Sequence, residues 1–149
     1  MSQPIRVLFL CTGNAARSQM AEGLLRWVGN DDFAVFSAGT APRGLHPLAV
    51  EALAEVGIDI SQQRSKHLSE LLDQPFDYII TVCDSVRDAC PIFPGEGTRL
   101  HWSYPDPAAA EGDTEAQRRA FRSVRSDLSE RIRLWVLRQR EQNLLPAAK

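Results

Sequence analysis

The order of elements around the first cysteine constrains this chain more than any other feature. Ile5-Arg6-Val7-Leu8-Phe9-Leu10 is short, nearly all apolar and rich in residues that suit a pleated surface, so it reads as a buried strand. It runs straight into Cys11-Thr12-Gly13-Asn14-Ala15-Ala16-Arg17-Ser18, whose Thr12-Gly13-Asn14 breaks the strand. From about Ser18, Met20, Ala21, Leu24, Leu25 and Val28 recur at helical spacing. A strand that passes through a loop of small residues directly into a helix is the opening of an α/β unit.

The pattern repeats along the chain. Phe33 to Ser37 reads as a second strand closed by Ala38-Gly39, and Pro47 to Val56 as a helix with Leu48, Ala52, Leu53 and Val56 on one face and Gly57 as its stop. Leu68 to Leu72 suggests a short helix. Tyr78-Ile79-Ile80-Thr81-Val82 reads as a buried strand ending at Cys83, and Arg99-Leu100-His101-Trp102 as a fourth strand before the turn-rich Tyr104-Pro105-Asp106-Pro107. Thr114-Glu115-Ala116-Gln117 has capping-box form, and Phe121, Val124, Leu128, Ile132, Trp135 and Val136 continue it as the closing helix. Beyond about Gln142 the pattern is lost, so a frayed tail is expected there. The 149 residues fit one domain, and strands alternating with helices predict a parallel sheet with helices on both faces. Ligands bind such sheets beyond the carboxyl ends of the strands, where Cys11 and Cys83 fall.

Composition narrows the function classes. A net charge of -2 leaves no global positive field for nucleic acid or an anionic membrane, so any anion site must be local. No apolar run has the length of a membrane span and no signal-peptide architecture is present, which predicts a cytoplasmic protein. Three cysteines argue against a structural disulfide framework, and in a reducing cytosol such thiols are buried, catalytic or redox-active. His46, His67 and His101 are too scattered to form a metal set with them; neither a metal nor another cofactor is expected. The arginines of the closing helix, interleaved with Glu115, Asp127, Glu130 and Glu141, read as a salt-bridged surface, and Trp27, Trp102 and Trp135 as core, with Trp102 or Tyr104 able to line a pocket beside Asp106.

The loop itself carries the chemistry. Small residues let its backbone curl until the amide N–H groups of Thr12, Gly13, Asn14, Ala15 and Ala16 converge on an anion, with the positive end of the next helix behind them. That field favours the nucleophilic thiolate over the thiol at Cys11. Arg17 offers a planar fork for two oxygens of a tetrahedral oxyanion, and Ser18 can donate to the sulfur. An ordinary buried cysteine before a surface helix is the bland alternative, and the complete string in this position disfavours it.

Cys, five residues, Arg and Ser/Thr is the phosphate loop of the low-molecular-weight protein tyrosine phosphatase superfamily, which this chain resembles over nearly its whole length. The resemblance implies a single-domain three-layer sandwich built on a four-stranded parallel sheet of order 2-1-3-4. It also implies that Asp106, before Pro107, is the general acid that protonates a departing oxygen. Cys83 and Cys90 resemble the further redox cysteines of thioredoxin-coupled arsenate reductases. By that resemblance Cys11 attacks arsenate, Cys83 attacks Cys11 and releases arsenite, and Cys90 attacks Cys83 to leave a Cys83–Cys90 disulfide for thioredoxin to reduce. Seven residues of continuous helix would separate Cys83 from Cys90 by about 10 Å, more than the roughly 7 Å that a disulfide tolerates between α-carbons, so a helix there would have to unwind. A monomer, acting on arsenate with phosphate or sulfate as competitors, is the expected form. Hydrolysis of phosphomonoesters in the same fold is the first alternative, and a non-catalytic oxyanion or redox sensor the second.

Two departures stand out. The position before Arg17, often cysteine in related loops, is Ala16, which leaves Cys11 no partner within the loop. Some related reductases hold potassium through Asn, Glu, Ser and Asp; Asn14, Glu22 and Ser37 match three of these, and the fourth is Lys66. An ammonium there repels a cation and replaces its charge, so Lys66 is expected to contact Glu22 or its neighbours.

Overall fold

β1 (Ile5–Leu10) occupies an interior position in the sheet, as its nearly all-apolar run leads one to expect. In the computed structural model, which describes residues 3–84 and 92–144, it pairs in parallel with β2 (Phe33–Ala38) on one edge and β3 (Tyr78–Thr81) on the other. β4 (Thr98–His101) pairs in parallel with β3, so the order is β2-β1-β3-β4, the expected one. Successive side chains of β1 point to opposite faces, and both faces are covered: Val7, Leu8, Phe9 and Leu10 are each 0% exposed.

Three helices cover one face. α1 (Arg17–Gly29), α2 (Pro47–Ala54) and α3 (Thr114–Gln139) pack there, and a π-helical turn (Arg140–Leu144) follows α3. Their core joins Val7 and Phe9 to Met20, Leu24, Leu53, Phe121 and Leu128. On the other face Leu8 and Leu10 meet Leu71, Phe76 and Phe93, from the segment that includes the 3-10 turn Leu68–Leu71 and from the chain before β4. Phe76 makes edge contacts with both Phe36 and Phe93. The Arg99 guanidinium on β4 donates to the carbonyls of Phe93, Gly95 and Gly97, which secures the chain as it re-enters the sheet. No helix among the described residues is long and apolar enough to cross a membrane.

Four local expectations need adjustment. α2 ends at Ala54, and the chain turns through Gly57 at φ +85°, a left-handed value that glycine adopts without a side-chain clash. The cap of α3 is Asp113, whose Oδ1 accepts from the Ala116 N–H at 2.9 Å, and Thr114 is the first helical residue. The arginines of α3 pair chiefly with carboxylates of and just after α2: Arg118 with Glu51, and Arg122 and Arg125 with Glu55. Hydrogen bonds from Arg122 and Arg125 hold the Glu55 carboxyl at about 2. Trp27 is 62% exposed rather than core, because the last turn of α1 faces a groove shared with Val56 and Arg133.

The identity of the α3 cap is directly testable by urea denaturation. Asp113→Ala removes the acceptor of an otherwise unsatisfied N–H and should cost about 1 kcal/mol, whereas Thr114→Ala should stay within about 0.5 kcal/mol of the parent. A larger loss at Thr114 would reassign the cap.

Candidate active site

β1 delivers Cys11 to the carboxyl edge of the sheet between its two neighbours. Its direction of connection reverses here, since β2 lies on one side of β1 and β3 on the other, and such a switch leaves a crevice above the strand ends. α1 begins at Arg17, so residues 11–16 must turn from strand to helix within a few ångströms. Asn14 takes φ 44°, a left-handed conformation open to asparagine, which lets the loop curl. Gly39 at the end of β2 makes room for it: a Cβ there would collide with the carbonyl oxygens of Cys11 and Thr12.

The polarity of the loop follows from where its carbonyls go. Thr12 O accepts from Ala41 N at 2.9 Å, Gly13 O from Arg43 N at 3.0 Å, Ala15 O from His46 N at 3.0 Å and Ala16 O from Met20 N at 2.9 Å. Asn14 O accepts from Gln19 Nε2 at 3.0 Å. The N–H groups of residues 13–16, by contrast, donate to no carbonyl among the described residues. Asn14 is fully buried and Ala16 is 5% exposed, so their bare N–H groups are costly unless an acceptor arrives. An anion with several oxygens is the acceptor that suits them.

Side chains complete the cup. The Cys11 sulfur lies 2.8 Å from Ser18 Oγ, and Asn14 Nδ2 donates to Ser18 Oγ at 2.8 Å and to Ser37 Oγ at 3.0 Å. Ser37 donates onward to Glu22 at 2.6 Å, and Glu22 pairs with Arg26 at 2.6 Å. Arg17 is 5% exposed, and its Nη1 donates to the Tyr104 carbonyl at 3.0 Å, two residues before Asp106. Asp106 caps the 3-10 turn Pro107–Ala109 through one oxygen, which accepts from Ala108 N at 3.0 Å. Cys11, Arg17 and Asp106 line one cleft of about 280 Å³. A larger groove of about 910 Å³ holds Trp102 and Tyr104 against Arg131, Leu134 and Trp135, so these aromatics flank that groove rather than the cleft of Asp106.

The other cysteines divide. Val82 N donates to Leu10 O at 2.9 Å, so the residues that follow β1 and β3 leave the sheet side by side. Cys11 is free and 2% exposed; Cys83 is fully buried and disulfide-bonded. Cys90 lies outside the described residues, as does most of the Cys83–Cys90 segment. Lys66 reaches the network through its backbone: its N–H donates to Asn14 Oδ1 at 2.9 Å, while the ammonium goes to the Arg64 carbonyl at 2.9 Å and leaves Glu22 to Arg26. Burial pushes the Lys66 ammonium down, against the pull of Glu22. Among the described residues no group of three His, Cys, Asp or Glu side chains could hold a metal ion.

Two cleft residues escaped the sequence reading. Arg43 and His46 come from the segment between β2 and α2 whose N–H groups fasten the loop carbonyls. His46 also caps α2, its Nδ1 accepting from Leu48 N at 3.0 Å, and its ring lies 4.7 Å from that of Phe121. The signal was present as His46-Pro47, a cap followed by proline at the first helical position. Nothing in the pattern marks Arg43.

Comparison with known proteins agrees with this geometry. Residues 6–144 match the model of the low molecular weight phosphotyrosine protein phosphatase family. The chain is 44% identical over 130 residues to an arsenate reductase of Halalkalibacterium halodurans, spanning 87% of this chain and 94% of that protein. It is similar to the solved structure of an arsenate reductase in the phosphate binding state, with a TM-score of 0.72 and 30% identity over 90% of this chain and 98% of the other. The thioredoxin-dependent arsenate reductase of Corynebacterium glutamicum aligns with a TM-score of 0.66 and 35% identity, over 91% of this chain and 62% of that one.

Burial pushes the His46 imidazole below its ordinary 6.5, with Asp106 opposing the shift. A group that the fold keeps neutral contributes its full stability above the unfolded value and loses it as pH falls from there through the folded value. The parent should therefore lose more stability between pH 7 and pH 5 than His46→Asn, whose amide oxygen can take the cap without titrating. Equal losses in urea denaturation at the two pH values would place the titrating group elsewhere.

Proposed function

Because the chain belongs to the low molecular weight phosphotyrosine protein phosphatase family, we propose that it is an enzyme of the arsenate reductase branch, one that reduces arsenate to arsenite with thioredoxin as electron donor. The observation that carries this reading is the row of N–H groups at residues 13–16 that have no partner among the described residues, curled in front of the free Cys11. Such a cup takes a tetrahedral oxyanion, and the relatives reported above act on arsenate.

The chemistry proceeds by thiol exchange. Cys11 thiolate attacks arsenic and an arsenate oxygen leaves as water, giving a covalent S–As bond. The loop N–H groups and the Arg17 fork hold the remaining oxygens, and Asp106, which shares the cleft, supplies a proton to the departing oxygen. Cys83 attacks the Cys11 sulfur; the S–As electron pair stays on arsenic, which leaves as arsenite, and a Cys11–Cys83 disulfide remains. Cys90 then attacks Cys83 and frees Cys11, and the dithiol of thioredoxin reduces the Cys83–Cys90 disulfide. The side-by-side exit of the chain from β1 and β3 and the disulfide-bonded state of Cys83 support this order. The protein works as a cytoplasmic monomer in this reading.

Hydrolysis of phosphomonoesters is the second reading, favoured by Asp106 in the cleft, since a hydrolase needs the nucleophile, the loop and the acid but no second thiol. Arsenate-dependent NADPH oxidation with thioredoxin and its reductase separates the two. Turnover is expected with the parent, and Cys83→Ser should abolish it while leaving aryl-phosphate hydrolysis within about twofold. No arsenate turnover alongside brisk aryl-phosphate hydrolysis would reverse the assignment. Replacing sodium by potassium at constant ionic strength should change the reduction rate by less than about twofold, because cationic side chains already border Glu22; a steep rise with potassium would refute this.

A further inference from the structure

The rim of the cleft carries a cation that the reaction outlined above does not use. Arg43 is exposed and lines the cleft with Cys11, Arg17, His46 and Asp106. Its N–H holds the Gly13 carbonyl at 3.0 Å, and its stem lies across Gly13 so closely that a Cβ there would stand 3.2 Å from Arg43 Cδ and 3.6 Å from Nε. Main chain and stem are thus both fixed to the anion loop. Among the described residues the guanidinium forms no ion pair and no side-chain hydrogen bond.

The electrostatics of the cleft give this cation a task. The chain as a whole carries a net charge of -2 and offers an anion no general attraction. Asp106 adds a carboxyl to the cleft lining, and the inner cation, Arg17, is 5% exposed with one nitrogen on the Tyr104 carbonyl. Among the described residues that line the cleft, Arg43 is therefore the exposed arginine that an incoming anion meets from solvent. Coulomb attraction scales with the charge of the anion and, at an exposed site, is screened over about 10 Å at 0.1 M salt.

We propose that Arg43 is a specificity-determining residue: a rim cation that draws doubly charged tetrahedral oxyanions into the cleft and favours them over singly charged ones, without taking part in bond making. This inference rests on the oxyanion reading of the cleft but not on reductase turnover. Inorganic sulfate and perchlorate, tetrahedral anions of charge two and one, probe it without reacting. In titration calorimetry of the reduced full chain at low ionic strength, Arg43→Gln should weaken sulfate binding about five- to tenfold and perchlorate about two- to threefold. The two losses should shrink below about twofold near 0.5 M salt, and Arg43→Lys should stay within about threefold of the parent throughout. In steady-state turnover Arg43→Gln should raise KM for arsenate by a similar factor while kcat changes by less than about twofold.

Sulfate binding by Arg43→Gln within twofold of the parent at low salt would overturn the proposal. So would equal losses for both anions at every salt concentration, which would mean a disturbed loop rather than a lost charge. A parent that binds neither anion would overturn it as well. If the sulfate result holds while thioredoxin-coupled reduction is absent, the reductase assignment falls and the role of Arg43 stands.

Discussion

Everything at the carboxyl edge of this sheet depends on which way the peptide groups of residues 12–16 face. A loop this short cannot pair its own N–H and C=O groups, so something outside it must take one set and leave the other exposed to a ligand. The segment between β2 and α2 takes the carbonyls of Thr12, Gly13 and Ala15 through the N–H groups of Ala41, Arg43 and His46, and α1 takes those of Asn14 and Ala16. Once the carbonyls are held outward, the N–H groups turn inward and the loop becomes an acceptor-seeking cup. The buried chain of Ser18, Asn14, Ser37 and Glu22 holds the same loop from behind and ends on Arg26, so the carboxylate behind the cup is answered before any ligand binds. The cup is in this sense shaped by hydrogen bonds that lie outside it.

Much of the fold was legible in the sequence because β1 and β3 are short and nearly all apolar. A parallel sheet buried on both faces leaves little ambiguity in its inner strands, and the bounds read for β1 agree with those observed. The loop was legible for a related reason: a cysteine, small residues and an arginine are adjacent in the chain, so the expectation of an anion-binding loop needs no tertiary information. Helix ends were less legible. Asp113 and Thr114 are both good caps, and only the fold decides which of them faces the free N–H of Ala116. Trp27 misled because a large aromatic ring suggests burial by its size alone, whereas the α1 stripe of Met20, Ala21, Leu24, Leu25 and Val28 does not include position 27.

The parts of the site that escaped the sequence come from elsewhere in the chain. Arg43 and His46 stand about thirty residues beyond Cys11, in a stretch whose sequence marks a turn and the start of a helix but not a cleft. What gives them roles is the register between β1 and β2, which sets Leu10 opposite Ala38 and so carries the next residues of both strands to the same place. Lys66 shows the same limit in another form. Its charge could be read from the sequence, but the group it presents to Asn14 is its backbone N–H, while its ammonium turns to a carbonyl two residues away.

Arg17 shows how tightly the two halves of the site are joined. Its guanidinium faces the cup and also holds the Tyr104 carbonyl, two residues before Asp106. One flat ion is thus a shared wall between the loop that begins at Cys11 and the stretch of chain that carries Asp106 into the cleft. Its rigidity fixes the separation of those two places much as a spacer fixes two plates. A lysine could match the charge but not the span, since a single ammonium has no second, rigidly offset donor to reach the other side. The placement of Cys11 and Asp106 around one cleft is therefore set in part by a side chain's shape.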